Sequence, residues 1–256
     1  MEVHAKKYLG QHFLKDESIA QQIVASLTGS TYHVLEIGPG MGVLTKYLFA
    51  NPTFDFHAIE LDAESVEYLH VHYPSLHVIE GDFLKLDLKK YFTEPFAVIG
   101  NFPYNISSQI LFRVYENRNR IPEVVGMFQK EVAERVAATP GSKTYGILSV
   151  LLSAFYDIEY LFTVHEHVFN PPPKVKSAVI RLCRNQVSDL GCDETLFTKV
   201  VKIGFNQRRK TLRNALKQLN MNLDAVPVEL LAKRAEQLSV DDFVVISNSV
   251  KGKSDN

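Results

Sequence analysis

The residues with the most specific chemistry form one short run, Asn101-Phe102-Pro103-Tyr104. An amine attached to an aromatic ring is a weak nucleophile, because its lone pair is delocalised into the ring. The side-chain carbonyl of Asn101 and a backbone carbonyl of the Phe102-Pro103 segment can each accept an N–H from such an amine. Held in this way, the nitrogen becomes more tetrahedral and its lone pair can point at an electrophile. Pro103 stiffens the backbone, and Tyr104 offers a ring on which a base can stack. Catalysis of this kind is positioning plus fixed dipoles, with no covalent nucleophile.

Three further groups belong to the same chemistry. The apolar run HVLEI (33–37) leads straight into Gly38-Pro39-Gly40-Met41-Gly42. Glycines there permit a sharp turn and a close backbone approach to a ligand. The pattern is G-x-G-x-G, not the G-x-G-x-x-G of dinucleotide sites, and no Gly-Lys-Ser/Thr follows as a phosphate loop requires. Glu60 lies 22 residues after Gly38, at the end of the next strand. A carboxylate there can accept both ribose hydroxyls of a nucleoside cofactor. Asp82 ends the strand after that, where it can accept from an adenine amino group. Three successive strand ends thus converge on one crevice, the usual ligand site of an open sheet.

The elements that must position these groups follow a βαβα rhythm. Asp16 is a candidate cap for a helix over 16–27, in which Ile19, Ile23, Val24 and Leu27 keep helical spacing. Strands are predicted at 33–37, 54–62, 76–82, 97–101 and 123–128. Helices follow the glycine turn and cover 63–72, 107–117 (with Ser107 as its cap) and 130–138. Two late strands, 156–164 and 174–182, flank the Pro171-Pro172-Pro173 run, which cannot pair in a ladder and reads as a rigid connection. This alternation predicts an α/β fold with a mostly parallel sheet covered by helices on both faces. Past residue 184 the character changes. Residues 185–194 read as a linker, 195–246 as helical, and the tail 249–256 as frayed. The expected division is a ligand-binding domain over 1–184 and a small helical domain over 185–256.

Composition excludes several classes. The chain has 256 residues, 46% of them hydrophobic and 22% charged, which is ordinary for a folded globular protein. Its two cysteines, Cys183 and Cys192, form no C-x-x-C pair, so a disulfide scaffold or cysteine-based zinc site is not expected. No apolar run approaches the roughly 20 residues that span a bilayer, and Gly10, Gln11 and His12 interrupt any secretory core at the N-terminus. A cytoplasmic location without membrane attachment is the expectation. The net charge of −1 hides a local concentration of positive charge. Residues 199–217 carry Lys199, Lys202, Arg208, Arg209, Lys210, Arg213 and Lys217, and no acid. On a continuous helix Arg209, Arg213 and Lys217 would share one face, with Leu212, Leu216 and Leu219 as a neighbouring apolar stripe. Beside a site for a base, that patch is expected to contact RNA phosphates, with Lys174 and Lys176 extending it.

The glycine turn, Glu60, Asp82 and Asn101-Phe102-Pro103-Tyr104 together resemble the S-adenosylmethionine-dependent methyltransferases that act on an adenine amino group. Lys7-Tyr8-Leu9-Gly10-Gln11-His12-Phe13-Leu14 resembles the N-terminal signature of the ribosomal RNA adenine dimethyltransferases. So do NFPYNISSQIL (101–111), the stretch 131–150 with its PGSKTYG, VFNPPPKVKSAVIRL (168–182) and FNQRRKTLRNAL (205–216). These marks span residues 7–216, and PGSKTYG with the helical C-terminal part favours the bacterial small-subunit branch over the enzymes that modify large-subunit RNA.

The resemblance implies a Rossmann-like class I methyltransferase sheet with a small all-helical C-terminal domain. It implies S-adenosylmethionine as cofactor and N6,N6-dimethylation of two adjacent adenosines in the 3′-terminal hairpin loop of 16S rRNA, within the assembling small subunit. A monomer is expected. It also implies roles for residues. Gln11, His12 and Leu14 belong to the segment that closes over the cofactor. Gly38 and Gly40 match the loop under its methionine end, Glu60 the ribose acid and Asp82 the adenine reader. Asn101 matches the amine acceptor that also borders the cofactor, and Tyr104 the stacking ring. Phe169 matches a second aromatic for the flipped target base. Phe102 stands where the family more often has Leu, and His12 where Asn is also common. His165 and His167 flank Glu166 without a third ligand and read as a surface loop; methyl transfer by this route needs no metal.

Overall fold

The computed structural model describes residues 3–219 and 221–252. A two-residue strand, β1 (Phe13–Leu14), precedes helix α1 (Glu17–Ala25). Asp16 caps that helix, its Oδ1 accepting from the N–H groups of Ser18 (2.9 Å) and Ile19 (3.1 Å). There follow β2 (His33–Ile37), α2 (Thr45–Phe49), β3 (Asp55–Glu60), α3 (Ala63–His72), β4 (His77–Glu80), β5 (Phe96–Asn101), α4 (Ser107–Glu116), β6 (Glu123–Gln129) and α5 (Lys130–Val136). Next come α6 (Ile147–Ser153), β7 (Tyr156–Val164), β8 (Phe169–Asn170) and β9 (Ser177–Arg184).

Seven of these strands form one sheet in the order β4-β3-β2-β5-β6-β9-β7. β2 runs parallel to β3 and β5, β3 to β4, and β5 to β6, whereas β9 is antiparallel to β6. β5 is buried from Phe96 through Gly100, as a central strand covered on both faces must be. Successive connections leave β2 in one direction and β5 in the other. The reversal opens a crevice at the carboxyl ends of those two strands, where both Gly38 and Asn101 lie.

Contacts divide the chain into two compact units. One comprises the residues up to Ala133 together with Asp157–Arg184, and the other Glu134–Tyr156 together with the residues from Asn185 onward. The second unit holds α6, α7 (Glu194–Asn206), α8 (Leu212–Leu216), α9 (Val228–Ala232) and α10 (Val240–Ser249), with one two-residue antiparallel pair, β10 (Met221–Asn222) and β11 (Lys251–Gly252). Its core takes in Phe197, Val201, Leu212, Leu216, Leu231 and Phe243.

Three local readings differ from the sequence expectation, and one element had no reading at all. Ser107 is the first helical residue of α4 and is buried, and its hydroxyl donates to the Tyr104 carbonyl at 3.2 Å instead of capping. The run ILSVLLS becomes α6, which apolar periodicity alone cannot tell from a strand. The basic segment is not a continuous helix: α7 ends at Asn206, 207–210 turn, and Thr211 adopts an extended backbone (ψ 155°) before α8. The tail expected to fray is helical at Ser249 and paired at Lys251–Gly252, and residues 253–256 lie outside the described residues. Among the described residues no helix is long and apolar enough to cross a membrane.

Candidate cofactor pocket and amine-acceptor site

The glycine turn forms the floor of the crevice. Gly38 (φ +68°) and Gly40 (φ +55°) occupy the left-handed region that side chains disfavour. A Cβ on Gly40 would also stand 2.8 Å from Cε1 of Phe13, so the ring from the N-terminal segment packs directly on the loop backbone. The Gly38 N–H donates to the Ile59 carbonyl at 2.9 Å, and the Gly81 N–H to the Glu60 carbonyl at 2.8 Å. These bonds lace the ends of β2, β3 and β4 together just where the side chains of interest emerge.

Glu60 is buried and densely solvated by backbone. Its Oε2 accepts from the Gly40 N–H (3.0 Å), and its Oε1 from the N–H groups of Leu61 (2.8 Å) and Asp62 (2.9 Å). Burial raises its carboxyl above the ordinary range, against the pull of those three donors. A carboxylate offers about four acceptor positions, so the spare one is on Oε2. Asp82 is more open. Its Oδ1 accepts from the Leu84 N–H at 2.9 Å, and Lys85 approaches Oδ2 at 3.6 Å.

Asn101 ends β5 with its orientation determined. Its Nδ2 donates to the His12 carbonyl at 2.9 Å. Only the NH2 group can donate to a carbonyl, so Oδ1 is left as the acceptor. The Tyr104 hydroxyl is hydrogen-bonded to Ser177 Oγ, and burial raises the phenol, with Ser177 opposing. His12 stacks on the Tyr104 ring (centroids 5.2 Å apart, planes 29° apart), while its Nδ1 contacts the Pro171 carbonyl at 2.8 Å.

One pocket, enclosing about 970 Å³ of empty space and partly open to solvent, is walled by Gln11, His12, Gly38, Gly40, Glu60, Asp82, Asn101 and Tyr104. These come from the N-terminal segment and the ends of four parallel strands. Leu14 lines a smaller recess beside it that shares Phe13, Gly38 and Asn101. Phe169 borders neither. It is 1% exposed within β8, paired to Leu14 of β1 and packed in the core. In this conformation the ring against Tyr104 is His12, and a stacking role for Phe169 would require β8 to uncover it.

Two features of the site escaped the sequence reading. Glu36, in the strand before the glycine turn, is fully buried in that recess; burial pushes its carboxyl up to about 8, with the Thr45 hydroxyl (2.6 Å) pulling it down and the Glu60 charge adding to the rise. The E-x-G-x-G spacing was the available signal. Lys6 forms an ion pair with Asp62, which no local pattern announces.

The basic residues fall into separate settings. Lys174 and Lys176 are exposed in the first unit, ahead of β9. In the second unit Arg209, Lys210, Arg213 and Lys217 are exposed. Arg208 is partly engaged, donating to the Lys143 carbonyl and lying 4.0 Å from Glu236. Leu212, Leu216 and Leu219 are buried. Among the described residues no group of three His, Cys, Asp or Glu is placed to hold a metal ion.

Comparison with known proteins follows the same lines. The family described as "Ribosomal RNA adenine dimethylase" matches residues 3–251. A Ribosomal RNA small subunit methyltransferase A of Cytophaga hutchinsonii is 62% identical over 255 residues, covering 98% of this chain and 99% of that protein. Its namesake in Bacteroides thetaiotaomicron is 58% identical over 254 residues, covering 97% and 95%. Among solved structures, a dimethyladenosine transferase from Plasmodium falciparum superposes with a TM-score of 0.75 at 28% identity, covering 92% of this chain and 96% of that one. The 23S rRNA methyltransferase ErmE gives 0.72 at 23% identity over 93% and 99%, a likeness of fold.

Proposed function

The chain belongs to the ribosomal RNA adenine dimethylase family, and from that premise we propose that it N6,N6-dimethylates two adjacent adenosines in the 3′-terminal hairpin loop of 16S rRNA. Its fold is the Rossmann-like class I S-adenosylmethionine-dependent methyltransferase fold with a helical C-terminal region, and it is an rRNA adenine dimethyltransferase. The finer parts of the reading are the loop, the cofactor's seat and the setting: a monomer acting in the cytoplasm on the assembling small subunit. The names of the relatives at 62% and 58% identity support the small-subunit assignment.

The residues present fit S-adenosylmethionine. The buried acid Glu60 keeps one acceptor position free, Gly38 and Gly40 present no Cβ, and apolar Ile37, Ile59 and Phe83 complete the walls. When bound, this cofactor supplies an electrophilic methyl group on a sulfonium. Glu60 Oε2 would accept one ribose hydroxyl, and a second would replace the Gly40 N–H. Asp82 would accept from the adenine amine through Oδ2. Gln11, His12 and Phe13 form one wall of the pocket.

The observation that carries the proposal is the Asn101 amide, turned by the His12 carbonyl so that Oδ1 is its free acceptor at the pocket wall. With a backbone carbonyl of the Phe102-Pro103 segment it can take both N–H groups of an adenine N6. Asn101 is not basic, so it holds the protons without removing them. Tyr104 supplies a stacking surface for a base taken out of its loop; stacking contributes about 1–3 kcal/mol toward the few kcal/mol that extrusion costs. Each methyl transfer costs the amine one proton, which leaves to solvent water because Asn101 does not take it; after the first transfer the amine has a single N–H, so the two acceptors then share one proton. Exposed Arg209, Lys210, Arg213 and Lys217, with Lys174 and Lys176, would contact RNA phosphates. Asn101→Ala is expected to lower turnover about 100-fold or more, the scale for losing a preorganised polar group, with a much smaller loss of S-adenosylhomocysteine affinity by calorimetry, because the segment that Asn101 holds at His12 keeps its other ties. An unchanged rate would remove Asn101 from the role of acceptor.

A further inference from the structure

The wall of the pocket formed by Leu9–Phe13 is not part of the sheet and must be held in place by other means. Its C-terminal end is well fastened. β1 pairs with β8, the Lys15 N–H donates to the Val168 carbonyl at 2.8 Å, and Asn101 holds the His12 carbonyl at 2.9 Å. In the middle, Asn105 Nδ2 reaches the Tyr8 carbonyl at 3.3 Å. The N-terminal end depends on Lys6. Its ammonium bridges Asp62 and Glu64, the latter at 3.1 Å. Its backbone N–H donates to Gln11 Oε1 at 2.8 Å, closing the segment into a loop around the turn at Lys7–Leu9.

Asp62 is an unusual place to anchor a surface segment. Its side chain is 2% exposed, its Oδ2 accepts from Ser65 Oγ at 3.0 Å, and its own N–H donates to Glu60 Oε1 at 2.9 Å. The loop that orients the ribose acid is therefore the loop on which Lys6 is pinned. Burial alone would raise the Asp62 carboxyl, yet Lys6 and Ser65 bring it below the ordinary range, so it is charged at neutral pH. A buried charge deprived of its cation is strongly unfavourable. Opening the segment at Lys6 carries that penalty, which biases the segment toward the closed arrangement.

We propose that the Lys6–Asp62 pair positions the N-terminal segment over the cofactor pocket and couples its closure to the loop holding Glu60, thereby setting how long the cofactor and its product stay bound. Lys6 acts here as a positioning residue and touches no reacting atom. The inference rests on the reading of the pocket as the S-adenosylmethionine site.

The test uses the full chain and S-adenosylhomocysteine, by calorimetry and stopped-flow dissociation, on the parent, K6M, D62N and the double variant. If losing the tether leaves the closed segment populated a tenth of the time, the apparent Kd rises about tenfold, and the change is expected in the dissociation rate. The double variant is expected to be no weaker than K6M alone, because K6M already removes the Lys6–Asp62 pair along with the pair to Glu64. In the cofactor-free protein, amide exchange at Leu9–His12 is expected to quicken in K6M while β2 and β5 keep their protection, a change that a general loss of stability would not confine to the segment. K6M binding and dissociating within twofold of the parent, or fully additive effects of K6M and D62N, would overturn the proposal. Failure of the parent itself to bind S-adenosylhomocysteine would contradict the cofactor reading, and this inference with it.

Discussion

At both Asn101 and Glu60, other groups have already taken part of the side chain's hydrogen-bonding capacity. His12 occupies the Asn101 donor, leaving the acceptor; three backbone N–H groups orient Glu60 and leave one lone pair. Their positions at strand ends were legible in the sequence, since a βα alternation places such residues at the crevice. The partner of Asn101 was not, because the His12 carbonyl reaches it from 89 positions away in the chain, and neither was the Lys6–Asp62 pair, whose members lie 56 positions apart. Phe169 shows a second limit: an aromatic next to a proline run reads as a stacking ring or as core, and its burial decides for core in this conformation. Glu36 carries a pH prediction. Its carboxyl is pushed from 4.5 to about 8 by burial, so the folded chain holds a proton there that the unfolded chain has released. Stability must therefore fall as pH rises from the unfolded value through about 8, the region in which the folded state binds more protons than the unfolded. Glu36→Gln can still accept from Thr45 and carries no charge. Thermal melts are expected to show Glu36→Gln matching the parent at pH 5 and exceeding it at pH 9; a difference independent of pH would mean that Glu36 does not titrate as argued.

At the scale of elements, Phe102 explains why two strands carry glycine side by side. β5 and β6 pair Gly100 with Gly126, and Phe102 lies over both. A Cβ at Gly100 would come within 2.8 Å of the Phe102 ring, and one at Gly126 within 2.3 Å. The ring is 1% exposed and packs edge-on to Phe128 at 5.0 Å. Phe102, which stands where the family more often has Leu, is the plug over these two glycines. Gly126→Ala is expected to destabilise by about 1–3 kcal/mol, the usual cost of overpacking. Combining it with Phe102→Leu should recover part of that loss in denaturant melts, and simple additivity would argue against the contact. Strands and long helices were readable from their periods, and α3 and β7 fall on the predicted residues. The elements that were not readable are short or interrupted. α6 is a seven-residue apolar run, and the break at 207–211 depends on the Leu212 N–H donating to the distant Lys233 carbonyl at 2.7 Å.

For the whole molecule, chemistry and RNA affinity are assigned to different sets of residues. The pocket is built within the first unit, while the exposed basic residues of 199–217 all belong to the second. The net charge of −1 conceals this, and only local counting reveals it. The expectation that Arg209, Arg213 and Lys217 share a helix face fails because the chain turns at 207–210, yet all three are exposed and remain candidates for phosphate contact. Arg209→Glu with Arg213→Glu is expected to weaken RNA binding and to flatten its salt dependence by about 0.7–0.9 log units of slope per lost phosphate contact. A salt slope equal to the parent's would move the RNA footprint elsewhere.

The most direct test of the central claim is methyl transfer from labelled S-adenosylmethionine to small ribosomal subunits lacking the modification, followed by nucleoside mass analysis of the RNA. The account predicts N6,N6-dimethyladenosine at the two adjacent positions of the 3′-terminal hairpin loop of 16S rRNA. Label only at other positions of the 16S rRNA, or none on the subunits while the protein binds S-adenosylhomocysteine, would contradict it.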